Sequence, residues 1–368
     1  AAASPAPLPH CSTAPLLHCS TAPLPRSMPS SPRILLIRPS ALGDVCRTVP
    51  ALVSLRAAHP QAQIDWLVQD SFAPAIRHHP ALSSVIEFPR KSLGLALRKL
   101  NLAPLRSFLK SLHDTHYDVV YDLQGLFRSG FFAWSTKAPR RIGLANAREA
   151  GWLFLTERYR VSPDVHSVDR MLEVIGRSGV ALVHDMRLYA SPDARQRAAS
   201  DPTLASSRYA ILAPTSRWAG KRWPLERFAK VAAELLIRGY DHVVIVGAPN
   251  ERDQCGPLLD LAAANPRVID RIGMTGIDDL LALVERSALV IANDSAVLHM
   301  AVGYDKPLIA LYGPTSISRV GPYRRAADVI QKVDPGEPLD HKNDDLGRRL
   351  MARIQVRDVL ERLDAKPA

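Results

Sequence analysis

This chain has few of the features by which metalloproteins, disulfide-stabilised proteins and membrane proteins are recognised in sequence. Its four cysteines, Cys11, Cys19, Cys46 and Cys255, form neither a Cys-x-x-Cys pair nor an evident disulfide framework, which is typical of a reducing compartment. No His-Glu-x-x-His motif, Asp-x-Asp motif or Cys/His quartet is present, so the sequence predicts no metal site. No apolar run approaches the roughly 18 residues that a membrane-spanning helix needs.

Aromatic residues are also scarce, at 6% of the chain, whereas 47 basic residues outnumber 36 acidic ones and give a formal net charge of +11. This excess predicts an acidic partner, such as a nucleotide, a nucleic acid or an anionic membrane surface. Because the aromatic residues are not interleaved with a basic strip, we expect no nucleic-acid groove. A length of 368 residues with 47% hydrophobic content predicts a globular chain of two domains.

The N-terminal segment is a tandem repeat rich in proline, alanine and serine, in which residues 6–13 are nearly repeated as residues 14–21. Such a segment cannot bury a core and is predicted to be disordered. Duplication explains its two His-Cys pairs without a metal, and it lacks the apolar core of a signal peptide. We hypothesise that Met28 is the true start, or that the residues before it are dispensable.

A strand, a glycine-containing loop and a helix follow at residues 33–55. The apolar run Ile34–Ile37 predicts a strand buried on both faces, and apolar residues then recur at helical spacing. Asp44 lies where the loop becomes a helix, so it is either an N-cap or a catalytic base, and the pattern leaves both open. Gly43 before it permits close backbone approach. The loop matches neither G-x-G-x-x-G nor Walker A.

The rest of the chain reads as two successive α/β series, with strands that end in polar loops. We also expect a helix over residues 72–79, amphipathic helical sequence over 90–116, and a helix-like segment around Arg148 and Glu149. Two Rossmann-like domains would face each other, with the ligand in the cleft between them. The predicted divisions are a repeat tail at 1–31, an N-terminal domain at 32–190, a polar linker at 191–208, a C-terminal domain at 209–345, and a terminal helix and tail at 346–368.

Hydroxyl, ammonium and carboxylate groups cluster after strands of the second series. If that sheet is parallel, these loops meet at one edge, and the amides that open the helix after Asp294 form an anion site suited to a diphosphate. Glu251 is placed to hold a ribose diol. Helix capping, surface charge and ordinary burial explain the same residues without a ligand. The candidates are Thr215, Ser216, Lys221, Glu251, Asp294, Ser295, Ala296 and His299.

Several motifs taken together carry a family resemblance. They are Ser40-Ala-Leu-Gly-Asp44, Asp122-Leu-Gln-Gly-Leu126, Lys221-Arg-Trp-Pro224, Asn293-Asp-Ser-Ala-Val-Leu-His299 and the stretch from Pro307 to Thr315. The chain resembles glycosyltransferase family 9, the bacterial lipopolysaccharide heptosyltransferases, from about Arg33 to Leu363. Residues 64–68 and 147–149 are more similar to the first heptosyltransferase of the inner core than to the second.

The resemblance implies an α/β GT-B fold and an inverting, metal-independent transfer of heptose from ADP-heptose to a Kdo sugar of lipid A. We expect a cytoplasmic monomer that needs no cofactor and makes peripheral contact with the anionic inner membrane. Asp44 would be the general base, and Met274 would line the adenine pocket beside the donor residues named above. Residues expected to contact the anionic acceptor are Ser40, Gly43, Arg90, Lys91, Gln124, Arg128 and Arg148.

Three alternatives stay open at the level of sequence. Ala296 stands where the family usually has glycine, so a different donor, such as another ADP- or GDP-linked hexose, is conceivable. A second alternative is another two-domain α/β enzyme, such as a nucleotide-sugar epimerase, which would release sugar without an acceptor. The third is a protein that binds a nucleotide sugar without turnover, which the intact Asp44 argues against.

Overall fold

The computed structural model describes residues 30–365, so the predictions for the repeat tail and for Met28 lie outside the described residues. The N-terminal half contains a sheet of six parallel strands. They are β1 (Arg33–Ile37), β2 (Gln63–Gln69), β3 (Ser84–Phe88), β4 (Val119–Asp122), β5 (Arg140–Leu144) and β6 (Glu157–Tyr159). Its helices are α1 (Leu42–Ala58), α2 (Arg90–Arg98), α3 (Ala103–Asp114), α4 (Phe127–Ser135) and α5 (Ser167–Arg177).

The second half repeats this construction. Its strands are β7 (Tyr209–Ala213), β8 (His242–Ile245), β9 (Val268–Asp270), β10 (Leu289–Asn293), β11 (Leu308–Tyr312) and β12 (Val329–Gln331). Its helices are α6 (Pro192–Ala199), α7 (Leu225–Ile237), α8 (Gly256–Ala264), α9 (Ile277–Arg286), α10 (Ala296–Gly303), α11 (Ile317–Val320), α12 (Asp344–Arg353) and α13 (Val356–Asp364).

Both sheets have the same topology. The strand orders are β3-β2-β1-β4-β5-β6 and β9-β8-β7-β10-β11-β12, which is the doubly wound order of a Rossmann fold. The expected strand at Ile34–Ile37 is present, and all four side chains are fully buried because helices cover both faces of the sheet. Two facing Rossmann-like domains are therefore confirmed.

Two local predictions are wrong. Residues 72–79 do not form an α-helix; Asp70–Ala75 is a 3₁₀ helix with Pro74 inside it. Arg148 and Glu149 lie in a turn, where Glu149 has a φ of 53°, a left-handed conformation that interrupts any helix. Of the two interpretations of Asp44, the N-cap position itself belongs to Ala41, and Asp44 lies in the first turn of α1, where its side chain accepts a hydrogen bond from the backbone amide of Ala41.

The two domains share a continuous apolar core. One cluster of buried side chains includes Val45 and Leu52 of α1 together with Leu298 and Met300 of α10. The polar segment expected as a linker contains α6, which is held against α9 by a pair of hydrogen bonds from Ser191 to Asp278. The interface between the domains therefore fixes the relative positions of the loops that follow β1 and β10.

Candidate functional site

The candidate site lies where the strand order reverses in each sheet, between β1 and β4 and between β7 and β10. Such switch points are where open α/β sheets bind ligands. Helices α1 and α10 begin there and pack against each other. A Cβ added to Gly43 would lie 2.9 Å from Cδ2 of His299 and 3.6 Å from Cα of Ala296. A glycine therefore permits the close approach that brings both helix N-termini into one site.

Asp44 lies in the first turn of α1, and two arginines, Arg38 and Arg47, hold its carboxylate. Its Oδ2 lies 3.1 Å from the guanidinium of Arg38 and accepts a hydrogen bond of 3.2 Å from the amide of Ala41. Its Oδ1 accepts a short hydrogen bond from Arg47. Arg47 also donates to the carbonyl of Val320 at 3.0 Å, so it connects the carboxylate to the C-terminal domain.

The pKa of Asp44 lies well below its usual value. Burial by itself raises this pKa, but the charges of Arg38 and Arg47, with the hydrogen bonds from Arg47 and Ala41, outweigh it. The carboxylate is therefore ionised at neutral pH. Both arginines were missed by the sequence reasoning, although Arg38 directly follows β1 and Arg47 lies one helical turn beyond Asp44.

The predicted diphosphate loops do meet at the carboxyl edge of the second sheet. The Nζ of Lys221 lies 2.6 Å from Oδ2 of Asp294, and the two side chains are only 14% and 10% exposed. The hydroxyl of Thr215 donates to Oε2 of Glu251 at 2.6 Å. Ser216 is buried next to Thr215, and its hydroxyl lies 3.5 Å from the carbonyl of Asp294. The structure thus brings five of the predicted donor residues to one edge: Thr215, Ser216, Lys221, Glu251 and Asp294.

Two buried hydroxyls at this edge have unused hydrogen-bonding capacity. Oγ of Ser295 and Oγ1 of Thr315 form no hydrogen bond with any residue in the range 30–365. Ser295 occupies the N-cap position of α10, yet its side chain makes no capping hydrogen bond. Because buried polar groups are ordinarily paired, these hydroxyls are available for a polar ligand at the helix N-terminus.

His299 lies one turn into α10 and is 3% exposed. Burial, followed by the nearby charge of Arg47, lowers its pKa well below the usual value, so the imidazole is neutral at physiological pH. Its Nδ1 forms no hydrogen bond with any part of the chain that the structure describes. A neutral imidazole beside Asp44 can donate or accept one hydrogen bond without adding a positive charge.

The remaining predicted residues are distributed around this centre. Gln124 accepts a 3.3 Å hydrogen bond from the amide of Ser40, which ties the loop after β4 to the loop after β1. The guanidinium of Arg128 lies over the ring of Phe88 at 5.3 Å. Met274 is 63% exposed on the loop after β9.

Two basic groups border the cleft. The first group lies on α2 and lines an open cavity of about 460 Å³. The residues that line this cavity are Gln69, Arg90, Lys91, Gly94, Leu95 and Arg98. The second group lies nearer to Asp44 and consists of four arginines: Arg38, Arg148, Arg170 and Arg319. Burial lowers the pKa of Arg170, and the positive charges of the other three lower it further. Arg170 and Arg319 belong to different domains and are far apart in sequence, so no spacing pattern could have paired them.

No group of three or more metal-ligating side chains occurs between residues 30 and 365. Over the same range, no helix is both long and apolar enough to cross a bilayer.

Comparison with known proteins agrees with the fold. Residues 105–347 match the model of glycosyltransferase family 9 (heptosyltransferase). The lipopolysaccharide heptosyltransferase 1 of Pseudomonas aeruginosa is 30% identical over 305 residues, which cover 80% of this chain and 82% of that protein. The heptosyltransferase 2 of Salmonella typhimurium is 26% identical over 317 residues, covering 82% and 88%.

Solved structures share the two-domain architecture. The family 9 glycosyl transferase of Veillonella parvula has a TM-score of 0.77 at 24% identity, covering 90% of this chain and 96% of its own. The E. coli heptosyltransferase WaaC, solved with ADP, has a TM-score of 0.73 at 22% identity, covering 90% and 99%. These likenesses confirm the GT-B fold. The chain belongs to glycosyltransferase family 9, the heptosyltransferases, and is a glycosyltransferase of lipopolysaccharide core synthesis.

Proposed function

We propose that this enzyme transfers heptose from ADP-heptose to a Kdo sugar of lipid A, with inversion at the anomeric carbon and without a metal ion. The observation that carries the proposal is the ionised carboxylate of Asp44, which directly follows Gly43 at the close contact with the first turn of α10, on the side of the second sheet where Lys221 pairs with Asp294. Relatives solved with ADP and with ADP-2-deoxy-2-fluoro heptose support the choice of donor.

The donor diphosphate would bind at the N-terminus of α10. Lys221 would leave Asp294 to pair with the phosphates, and the amides of α10 with the hydroxyls of Ser216, Ser295 and Thr315 would donate to them. The ribose would lie against Glu251 and the adenine near Met274. These groups neutralise the leaving ADP, so the reaction needs no divalent ion.

In the transfer step, the acceptor hydroxyl attacks the anomeric carbon on the face opposite to the diphosphate. The new bond joins acceptor oxygen to carbon, the bond from carbon to phosphate oxygen breaks, and ADP leaves with that electron pair. Asp44 takes the hydroxyl proton. The product therefore has the inverted anomeric configuration.

Because two arginines lie beside Asp44, its strength as a base would depend on whether the acceptor is bound. A carboxylate whose pKa is strongly lowered is ionised but accepts a proton weakly. An anionic acceptor that pairs with Arg38 would withdraw that charge from Asp44 and raise its pKa. The base would then become strong only once the acceptor is bound. Gln124, Arg128 and Arg148, with Arg90 and Lys91, would hold other polar and anionic groups of the acceptor.

We also propose that the enzyme is a cytoplasmic monomer that binds the anionic inner membrane peripherally, since lipid A is a lipid-anchored acceptor and the chain carries a charge of +11.

The test is ADP release from ADP-heptose in EDTA, with de-acylated Kdo-lipid A added or withheld. We expect release that depends on the acceptor and persists in EDTA, and an acceptor that lacks Kdo is the control. Tight ADP binding without release would contradict the proposed sugar or acceptor. Release of free sugar without an acceptor would instead favour an epimerase or a hydrolase. Loss of activity in EDTA would contradict the metal-independent mechanism.

A further inference from the structure

Exposed apolar side chains are concentrated on one part of the N-terminal domain. Twelve large hydrophobic side chains are exposed among residues 30–365, and eight of them lie between residues 95 and 153. Four are leucines at the end of α2 and in its connection to α3: Leu95, Leu97, Leu100 and Leu102 are 57%, 42%, 89% and 44% exposed. A contiguous exposed group of this kind marks an interaction surface.

The connection between α2 and α3 projects from the domain. Every residue from Leu97 to Pro104 is exposed, and Leu93 is the one residue of α2 buried among those the structure describes. We call residues 95–102 the leucine tip. The tip adjoins the cavity beside the acceptor side of the cleft, because Leu95 and Arg98 line that cavity.

The sequence on both sides of the leucine tip is rich in positive charge, although Lys110 pairs with Asp114. Residues 89–113 contain six lysines and arginines and no aspartate or glutamate. Basic side chains flanking exposed leucines fit the headgroup and acyl boundary of an anionic bilayer, where leucines insert and lysines and arginines pair with lipid phosphates. A symmetric dimer through this face would instead place like charges opposite one another.

A second exposed apolar patch lies next to it. Its side chains lie on α4 and on the 3₁₀ helix Gly151–Phe154 that follows β5. The exposed fractions are 51% for Phe127, 42% for Trp134, 37% for Trp152 and 62% for Leu153. The ring of Phe108 on α3 packs on Phe132 of α4 with centroids 5.5 Å apart, which fixes the two regions relative to each other. Exposed tryptophans beside basic residues, such as Lys137 over the ring of Trp134 at 3.6 Å, are typical of a membrane interface.

We propose that the leucine tip is the membrane-docking surface of this enzyme, and that it inserts into an anionic phospholipid bilayer beside the cleft that receives the acceptor. This inference rests on the proposed lipid-anchored acceptor. It identifies the surface that brings the enzyme to that acceptor, so the site can meet the sugar of a lipid that stays in the membrane.

The test compares two variants of the full chain with a matched control. Leu97→Ser with Leu100→Ser removes the apolar insertion. Lys99→Glu with Arg106→Glu reverses one charge in the tip and one beside it on α3. We call both of them leucine-tip variants. The control is Ile237→Ser with Lys230→Glu on α7, where Ile237 is 77% exposed and Lys230 is also exposed. None of these residues lines the cleft between the domains or the cavity beside α2.

Vesicles of phosphatidylethanolamine and phosphatidylglycerol are sedimented with each protein, and vesicles of phosphatidylcholine are the neutral comparison. We expect the wild type and the control to bind the anionic vesicles, with binding that weakens as salt rises. Both leucine-tip variants should bind at least about tenfold more weakly. In the charge-reversal variant, each basic side chain that is lost contributes about fivefold near such a surface. In the leucine variant, two apolar side chains that would insert into the bilayer are lost. Their kcat/KM on Kdo-lipid A in the same vesicles should fall similarly, with the rate on de-acylated acceptor unchanged.

Equal vesicle binding by the wild type and the leucine-tip variants would overturn the proposal, as would an equal loss in the control. A wild type that turns over de-acylated acceptor without binding vesicles would also overturn it while leaving the proposed function intact. A dimer that the leucine substitutions convert to a monomer, with vesicle binding unaffected, would assign the tip to self-association instead. Absence of turnover on de-acylated acceptor would count against the proposed function.

Discussion

Gly43→Ala tests whether the site is assembled by close packing between the two domains. The added methyl would lie 2.9 Å from Cδ2 of His299, which is shorter than carbon–carbon contacts in folded proteins. The imidazole is buried, so relief of this contact requires either a shift of the ring against its neighbours or separation of α1 from α10. Overpacking of this kind costs about 1–3 kcal/mol, which disfavours the packed arrangement by roughly fivefold to 150-fold.

The assay is kcat/KM for both substrates together with the melting temperature. We expect kcat/KM and the melting temperature both to fall in Gly43→Ala. The matched control is Gly256→Ala at the start of α8, where no described heavy atom lies within 4 Å of the added methyl. In the double variant Gly43→Ala with His299→Ala, the clash is gone, so stability should recover while activity does not. A Gly43→Ala enzyme with unchanged kinetics and stability would refute this packing argument.

Three further predictions concern charged groups. Lys221→Ala should weaken ADP binding, because it removes a phosphate partner and leaves Asp294 unpaired; an unchanged ADP affinity by calorimetry would contradict the assignment. Arg38→Gln should raise the pKa of Asp44 and move the acid limb of the pH profile of kcat/KM up by about 1–3 units; a superimposable profile would count against the pairing. Burial raises the pKa of Asp122 from 3.8 to about 6, so the folded state binds this proton more tightly than the unfolded chain. Stability should therefore fall as pH rises from about 4 to about 6, and unfolding of Asp122→Asn should lack that part of the pH dependence.

The sequence predicted the features that depend on strand order and local pattern. Ile34–Ile37 is apolar throughout because its strand is buried on both faces, and the loops that follow such strands meet at one edge in any parallel sheet. Thr215, Lys221 and Asp294 could therefore be placed together before the structure was known. The GT-B architecture follows from two such series in succession.

The two errors have local causes, whereas the omissions come from interactions between distant parts of the chain. Pro74 and the left-handed Glu149 interrupt segments whose apolar spacing favours a helix. The bond from Arg47 to Val320 and the proximity of Arg170 to Arg319 depend on how the domains pack, which no local pattern encodes. The contact between Gly43 and His299 likewise appears only when α1 meets α10.

The most direct test of the central claim is the transfer rate of Asp44→Asn, measured in EDTA beside its affinity for ADP. Asparagine keeps the shape of the side chain and an oxygen that can accept from Ala41, but it cannot take a proton at neutral pH. We expect a loss of about 10²- to 10⁴-fold in rate, with ADP affinity close to that of the wild type. A rate near that of the wild type would contradict the assignment of Asp44 as the base.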